Sequence, residues 1–133
     1  MEYRIGMSAD FSKTISECDV YNYAGIIGDF NPLHVNEIKA KEFLFGKRIA
    51  HGMLTASFLS TVIASEMPGP GTIYMEQNAR FVRPVFIDDT ITAHVEILEL
   101  MEKKKCKLKT VVLNQNNEIV VDGYAIVKLP EWK

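Results

Sequence analysis

The chain has 133 residues, 47% of them hydrophobic, which is enough for one domain with a single core, and we expect that domain to span residues 1–133. The formal net charge of -2 excludes a general electrostatic attraction to nucleic acid or to an anionic membrane surface. The N-terminus lacks the apolar stretch of a signal peptide, which favours a cytoplasmic protein with no membrane partner.

The first predicted elements are a short strand and an amphipathic helix. Residues 9–16 favour a strand, and Ser16 followed by Asp19 resembles the capping box that begins a helix. Apolar residues then recur at helical spacing over residues 17–27. Gly28 ends this predicted helix.

The segment after Gly28 is predicted to be a loop. Pro32 removes a backbone donor and disfavours helical geometry at Asn31, so the helix cannot continue through residues 29–34. Asn36 can cap a short helix over residues 37–43. The loop is therefore expected to hold polar side chains in fixed places.

The stretch over residues 50–67 predicts the central helix of the fold. Residues 52–65 carry no charge, and their polar members are small hydroxyls that can bond back to their own helix. A helix that is neutral all round belongs in a protein interior, and this one is too short for a bilayer. It begins at His51 and Gly52, where unsatisfied amides meet the positive end of the helix dipole.

The rest of the chain predicts antiparallel strands with one buried face. Apolar and polar residues alternate over residues 73–81 and 90–97, and residues 105–113 and 118–129 form a hairpin. In the first of these strands the face predicted to be buried comprises Ile73, Met75, Ala79 and Phe81. With residues 9–16, the prediction is an α+β fold in which a curled five-stranded antiparallel sheet surrounds the central helix.

Asp29, Asn31 and His34 are the strongest candidates for chemistry. An aspartate and a histidine five positions apart on a rigid loop can both reach one small molecule, most simply a water. The alternative is that Asp29 only caps and His34 is an ordinary loop histidine. No metal site is predicted, because His94 lies on the polar face of a strand and no cysteine accompanies the other histidines. Cys18 and Cys106 are expected to be free thiols.

These residues resemble a known family. The run Gly28-Asp29-Phe30-Asn31-Pro32-Leu33-His34, then Ile49-Ala50-His51-Gly52-Met53, and later Phe81, Pro84, Val85, Asp89 and Thr90, are similar to the MaoC-like (R)-specific enoyl-CoA hydratases, which have the hot-dog fold. The resemblance extends from about residue 9 to Leu129.

The resemblance implies roles for five residues. Asp29 and His34 would hold and activate the water, Asn31 and Ser57 would support the site, and the Gly52 amide would bind the thioester oxygen. A donor at a helix N-terminus suits that oxygen, because hydration of a 2-enoyl thioester moves negative charge onto it. Thioesterases and acyl-carrier-protein dehydratases of this fold carry an acidic residue early in the central helix, whereas here the first acid is Glu66.

The implied reaction is reversible addition of water to trans-2-enoyl-CoA, giving (R)-3-hydroxyacyl-CoA with no cofactor beyond the CoA of the substrate. The alternatives are a hydratase or dehydratase for a branched or carboxylated acyl-CoA, and a non-catalytic acyl-CoA-binding subunit. The family implies a homodimer, or a higher oligomer built on it, with CoA near the interface. The cations nearest in sequence to the site, which are candidates for the CoA phosphates or ordinary surface charges, are Lys47, Arg48, Arg80 and Arg83.

Overall fold

The computed structural model describes residues 2–133 and contains one antiparallel sheet wrapped around a central helix. The five strands lie in the order β1-β3-β4-β5-β2. The predicted α+β fold is confirmed. The elements in chain order are β1 (Ser8–Thr14), α1 (Glu17–Ile27), α2 (Pro32–Val35), α3 (Glu37–Ala40), α4 (Gly52–Ser65), β2 (Ile73–Phe81), β3 (Thr90–Leu100), a 3₁₀ turn (Glu102–Lys104), β4 (Lys105–Leu113) and β5 (Ile119–Lys128).

The caps of α1 are formed as the sequence predicts. The Ser16 hydroxyl accepts from the Asp19 N–H at 3.0 Å, and the Asp19 carboxylate accepts from the Ser16 N–H at 2.9 Å. Gly28 ends the helix with φ of 76°, a conformation that glycine adopts without strain. Asn36 caps α3 as expected, but that helix ends at Ala40, and the chain continues in turns to residue 46.

The central helix α4 is buried on one face. Its buried side chains pack mainly on β3, with further contacts to β1, β4 and β5. The opposite side, which we call the open face of α4, comprises Met53, Ser57, Ser60 and Ala64, all of them exposed. A single sheet covers only one side of a helix, so the uncharged sequence leaves an uncharged surface in the single chain.

Strand β3 follows the predicted alternation. Ile91, Ala93, Val95 and Ile97 of β3 are fully buried beneath α4, and the intervening residues are partly exposed. Strands β4 and β5 pair as a hairpin. Its turn contains Asn117 with φ of 59°, which suits asparagine in a tight turn.

The buried face predicted for β2 is wrong. Ile73, Met75 and Phe81 are 58%, 51% and 53% exposed, and Ala79 is only partly buried. Two features explain the difference: β2 is an edge strand with few contacts to α4, and a bulge after Tyr74 interrupts its alternation. Apolar alternation shows that a strand has two faces, but the position of the strand in the sheet decides whether either is covered.

Among residues 2–133, no helix is long and apolar enough to cross a membrane. Cys18 is exposed and Cys106 is buried, and both are free thiols, as expected. Burial raises the pKa of the Cys106 thiol to about 11.

Two glycines of the fold should respond in opposite ways to an added methyl group. A Cβ at Gly123 in β5 would overlap the carbonyl oxygen of Asn78 on β2, so we expect Gly123→Ala to destabilise the protein by roughly 1–3 kcal/mol or more. At Gly25, in the interior of α1, a Cβ would meet no atom of residues 2–133 within 4 Å apart from its neighbours in the chain and the backbone of its own helix. Gly25→Ala should therefore stabilise by about 0.5–1 kcal/mol.

Urea unfolding of the two variants and the unchanged protein, at one protein concentration, measures both effects. A Gly123→Ala variant as stable as the unchanged protein would contradict the close approach of β2 to β5.

Candidate active site

The segment between α1 and α2 is fixed by short-range hydrogen bonds. The Asp29 carboxylate accepts from the Asn31 N–H at 3.1 Å, and the Asn31 side chain accepts from the Leu33 N–H at 3.2 Å. Asn31 is thereby the N-cap of α2, and Pro32 is its first residue. The prediction of a loop through residue 34 is wrong from Pro32 onwards, because a proline that ends one helix is also well suited to begin the next.

The structure brings Asp29 and His34 together. The Oδ2 atom of Asp29 lies 4.0 Å from Nε2 of His34. His34 is buried, whereas 44% of the Asp29 side chain is exposed. A buried imidazole thus lies beside a carboxylate that a ligand can reach from solvent.

The hydrogen bonds of His34 define its tautomer. Nδ1 lies 2.7 Å from the carbonyl oxygen of Ile49, and because a carbonyl only accepts, Nδ1 carries the proton. Nε2 is then a bare acceptor that faces Asp29. Burial is the main cause that lowers the pKa of His34 below its ordinary 6.5, and His51 lowers it further, while the Ile49 carbonyl and Asp29 oppose the shift. At neutral pH two acceptors therefore face each other, and one water can donate to both.

His51 is the site residue to which the sequence reasoning assigned no role. It is 2% exposed, and its ring stacks on that of His34 with centroids 3.9 Å apart and planes 25° apart. Its Nε2 lies 3.0 Å from the carbonyl oxygen of Asp29. The only available signal was a histidine immediately before an uncharged helix, and that pattern does not reveal which residues the ring contacts.

Gly52 begins α4 beside an apolar cavity. No side-chain cap from His51 covers the first turn within the described chain, so its amides keep free donors at the positive end of the helix. A Cβ at Gly52 would lie 2.7 Å from the Phe81 ring. The cavity of about 360 Å³, which we call the Gly52 cavity, is lined among others by Gly52, Met53, Phe81, Arg83, Pro84 and Val121.

The remaining candidates are more dispersed. The Ser57 hydroxyl donates to the Met53 carbonyl of its own helix at 2.6 Å and lies on the open face of α4. Arg48 is held by Glu17 at 2.7 Å, which raises the pKa of its guanidinium. Lys47 lies 4.2 Å above the Phe86 ring.

The other two cations are near β2. Arg83 lines the Gly52 cavity and donates to the Ile119 carbonyl at 3.0 Å. Arg80 is exposed on β2, opposite Asp122 of β5. Of the four predicted cations, Arg83 is therefore the one whose side chain borders the cavity beside Gly52.

Asp29, His34 and His51 each offer a potential metal-ligand atom, all within 4.8 Å of one another. Two ring nitrogens already bond to carbonyl oxygens, at Ile49 and Asp29. The other two belong to rings stacked with their planes only 25° apart, so the in-plane lone pairs of the two rings lie in separate, nearly parallel planes. This arrangement suits acid–base chemistry, and the absence of a metal stays a prediction.

The fold and site define a class: a hot-dog domain in which a carboxylate and a neutral imidazole lie near the start of the central helix. The model of the family described as "MaoC like domain" matches residues 2–120. The chain belongs to this family, as the motifs in its sequence indicated.

The chain is 45% identical over 125 residues to an (R)-specific enoyl-CoA hydratase of Rhodospirillum rubrum, covering 94% of this chain and 87% of that protein. It is 38% identical over 130 residues to a 3-hydroxybutyryl-CoA dehydratase of Methylorubrum extorquens, covering 98% and 83%. The structure of an unliganded R-hydratase of Pseudomonas aeruginosa superposes with a TM-score of 0.94 and 40% identity, covering 98% and 84%.

The lowered pKa of His34 leads to a direct test. Because the pKa of His34 is lowered, we expect the chemical shift of its Cε1 proton to change with a midpoint below pH 6.5 in the folded protein. The unfolded chain then binds more protons than the folded one as pH falls through 6.5. The contribution of this group to stability is therefore present above pH 6.5 and is lost as pH falls through the folded pKa.

Proton NMR measures the pKa of His34 from this midpoint. The chain has only three histidines, and the signal of His34 is the one that disappears in His34→Gln. Titration of that signal at or above pH 6.5 would contradict the buried, neutral imidazole.

Proposed function

We propose that this chain is an (R)-specific enoyl-CoA hydratase, which adds water reversibly to trans-2-enoyl-CoA and needs no cofactor beyond the CoA of its substrate. Membership of the family and the names of the relatives support the reaction class. The observation that carries the proposal is the pair of acceptors, the Asp29 carboxylate and Nε2 of His34, 4.0 Å apart near the start of α4.

In this proposal one water lies between the two acceptors. One of them removes a water proton while the oxygen attacks C3 of the enoyl chain. The electrons of the double bond move toward the thioester, whose oxygen gains charge that the Gly52 amide would stabilise. Delivery of the proton to C2 completes the addition. Asn31 would support this site through its bond to Leu33, and Ser57 through the start of α4.

The acyl substituent is the point on which the alternatives differ. The Gly52 cavity has mainly apolar walls, which favours an alkyl chain over a carboxylated one. The relative named a 3-hydroxybutyryl-CoA dehydratase is consistent with a short chain. A non-catalytic subunit is less favoured, because it would have no use for two facing acceptors.

We further propose a homodimer. The open face of α4 is uncharged, and β2 presents an edge with exposed apolar side chains. A second copy that covers both would bury this surface and pair the edge. A cytoplasmic location remains the prediction made from the sequence.

Activity tests the proposal first. Purified protein should remove the enoyl absorbance of crotonyl-CoA or a longer trans-2-enoyl-CoA without added metal or nucleotide, and chiral analysis should find the (R)-product. An (S)-product, or activity that chelators abolish and a metal restores, would contradict the proposal.

The same assay tests the pair. Asp29→Asn and His34→Gln should each lower kcat by about 10²- to 10⁴-fold, because each removes a positioned proton acceptor. The double variant should lose little more than the worse single variant, since both groups act on one water. His94→Gln, outside the site, is the matched control and should keep full activity. Additive losses would mean that the two residues serve different steps.

A further prediction concerns the binding of the CoA phosphates. Of the four candidate cations, Arg83 is the one we expect to contribute most, because it borders the Gly52 cavity. Arg83→Met should raise KM for enoyl-CoA several-fold and leave kcat nearly unchanged, and added salt should then affect KM less. Arg48→Met is the matched control, because Arg48 does not line the Gly52 cavity and pairs closely with Glu17 at 2.7 Å, whereas the pair of Arg83 with Glu118 is longer, at 3.5 Å, and about half exposed. If charge-removing changes at Lys47, Arg48, Arg80 and Arg83 all leave KM unchanged, CoA binds elsewhere.

A further inference from the structure

His51 is almost completely buried at the site, yet the proposed reaction gives it no step. Its Nε2 lies 3.0 Å from the Asp29 carbonyl, its ring stacks on His34, and the edge of the Tyr23 ring packs 5.1 Å away. Its Nδ1 is buried and has no hydrogen-bond partner among residues 2–133. One side chain therefore contacts both members of the proposed pair.

We infer that His51 is a positioning residue for the proposed hydration: its Nε2–H fixes the backbone at Asp29, and its ring face fixes the imidazole of His34. The inference rests on the proposed function. His51 also immediately precedes Gly52, so the residue that orients the pair is joined directly to the start of α4.

The first residue that His51 positions is Asp29. Its carbonyl only accepts, so the proton of His51 resides on Nε2. Its carboxylate accepts from the Asn31 N–H at the same time. With both its backbone and its side chain tied, Asp29 has a defined position relative to His34.

The second group that His51 positions is the ring of His34. Its hydrogen bond to Ile49 holds one edge but leaves the ring free to tilt about that bond. A second ring stacked at 3.9 Å blocks the tilt and keeps Nε2 directed toward Asp29. A displacement of about 1 Å in a reacting group can cost on the order of 100-fold in rate.

The unpartnered Nδ1 distinguishes this role from simple space filling. A buried acceptor without a partner is unfavourable, and an apolar ring of similar shape would avoid that cost. A histidine at this position is explained by what its other nitrogen does, which is to donate to Asp29.

Two variants separate the contributions of the ring and of the donor. His51→Phe keeps a ring against His34 but removes the N–H, whereas His51→Gln places an amide donor near the position of Nε2. We expect His51→Phe to lower kcat by about 10- to 100-fold with KM and the melting temperature little changed. His51→Gln should recover part of that kcat through its donor.

Full kcat in His51→Phe would overturn the inference. So would equal losses of kcat in His51→Phe and His51→Gln, if each loss of kcat parallels a loss of melting temperature. Should His51→Phe fail to fold, long-range ¹H–¹⁵N NMR of the unchanged protein tests the same point. We expect the neutral ring of His51 to carry its proton on Nε2, and the opposite tautomer would overturn the inference. An unchanged protein inactive on every enoyl-CoA refutes the proposed function, whereas an active one with an equally active His51→Phe variant refutes only the role of His51.

Discussion

Two buried imidazoles hold the site together, because each gives a ring proton to a main-chain carbonyl on the opposite segment. His34, which follows α1, donates to Ile49, and His51, which precedes α4, donates to Asp29. Buried donors need such partners. A backbone bond from the Ile49 N–H to the Leu33 carbonyl at 3.0 Å adds a third link between the segments. The separation between the Asp29 carboxylate and His34 depends on this reciprocal connection.

The connection is tied in turn to the sheet. The Ala50 N–H donates to Val85 at 2.7 Å, just before β3 begins, so the start of α4 cannot move independently of the strands. Phe81, the last residue of the edge strand β2, also lies against Gly52, and about half of its surface is exposed. Any partner that pairs with β2 would therefore act on the side chain next to the proposed thioester donor. The contact between Phe81 and Gly52 thus connects the uncovered edge of the sheet, at β2, to the proposed reaction site.

Local signals account for most of what the sequence predicted. The capping box at Ser16 and the alternation in β3 follow from neighbouring residues, and the motif containing Asp29 and His34 identified the family. Pro32 was misread because proline can both end and begin a helix. The exposure of β2 and the contacts of His51 depend on which segments meet in space, and no short-range pattern in one chain contains that information.

The protonation states at the site bear on the stereochemistry of the proposed reaction. His34 has a lowered pKa, its remaining proton is given to Ile49, and Nε2 faces the Asp29 carboxylate as a second acceptor. In the proposed reaction both groups begin as acceptors. The proton that reaches C2 is then the one just taken from the water, returned from the side where the oxygen attacked. Since both acceptors lie on one side of the substrate in this proposal, the hydroxyl and the proton add to the same face. The syn addition follows because both bases begin unprotonated, and it does not depend on which of the two removes the proton from the water.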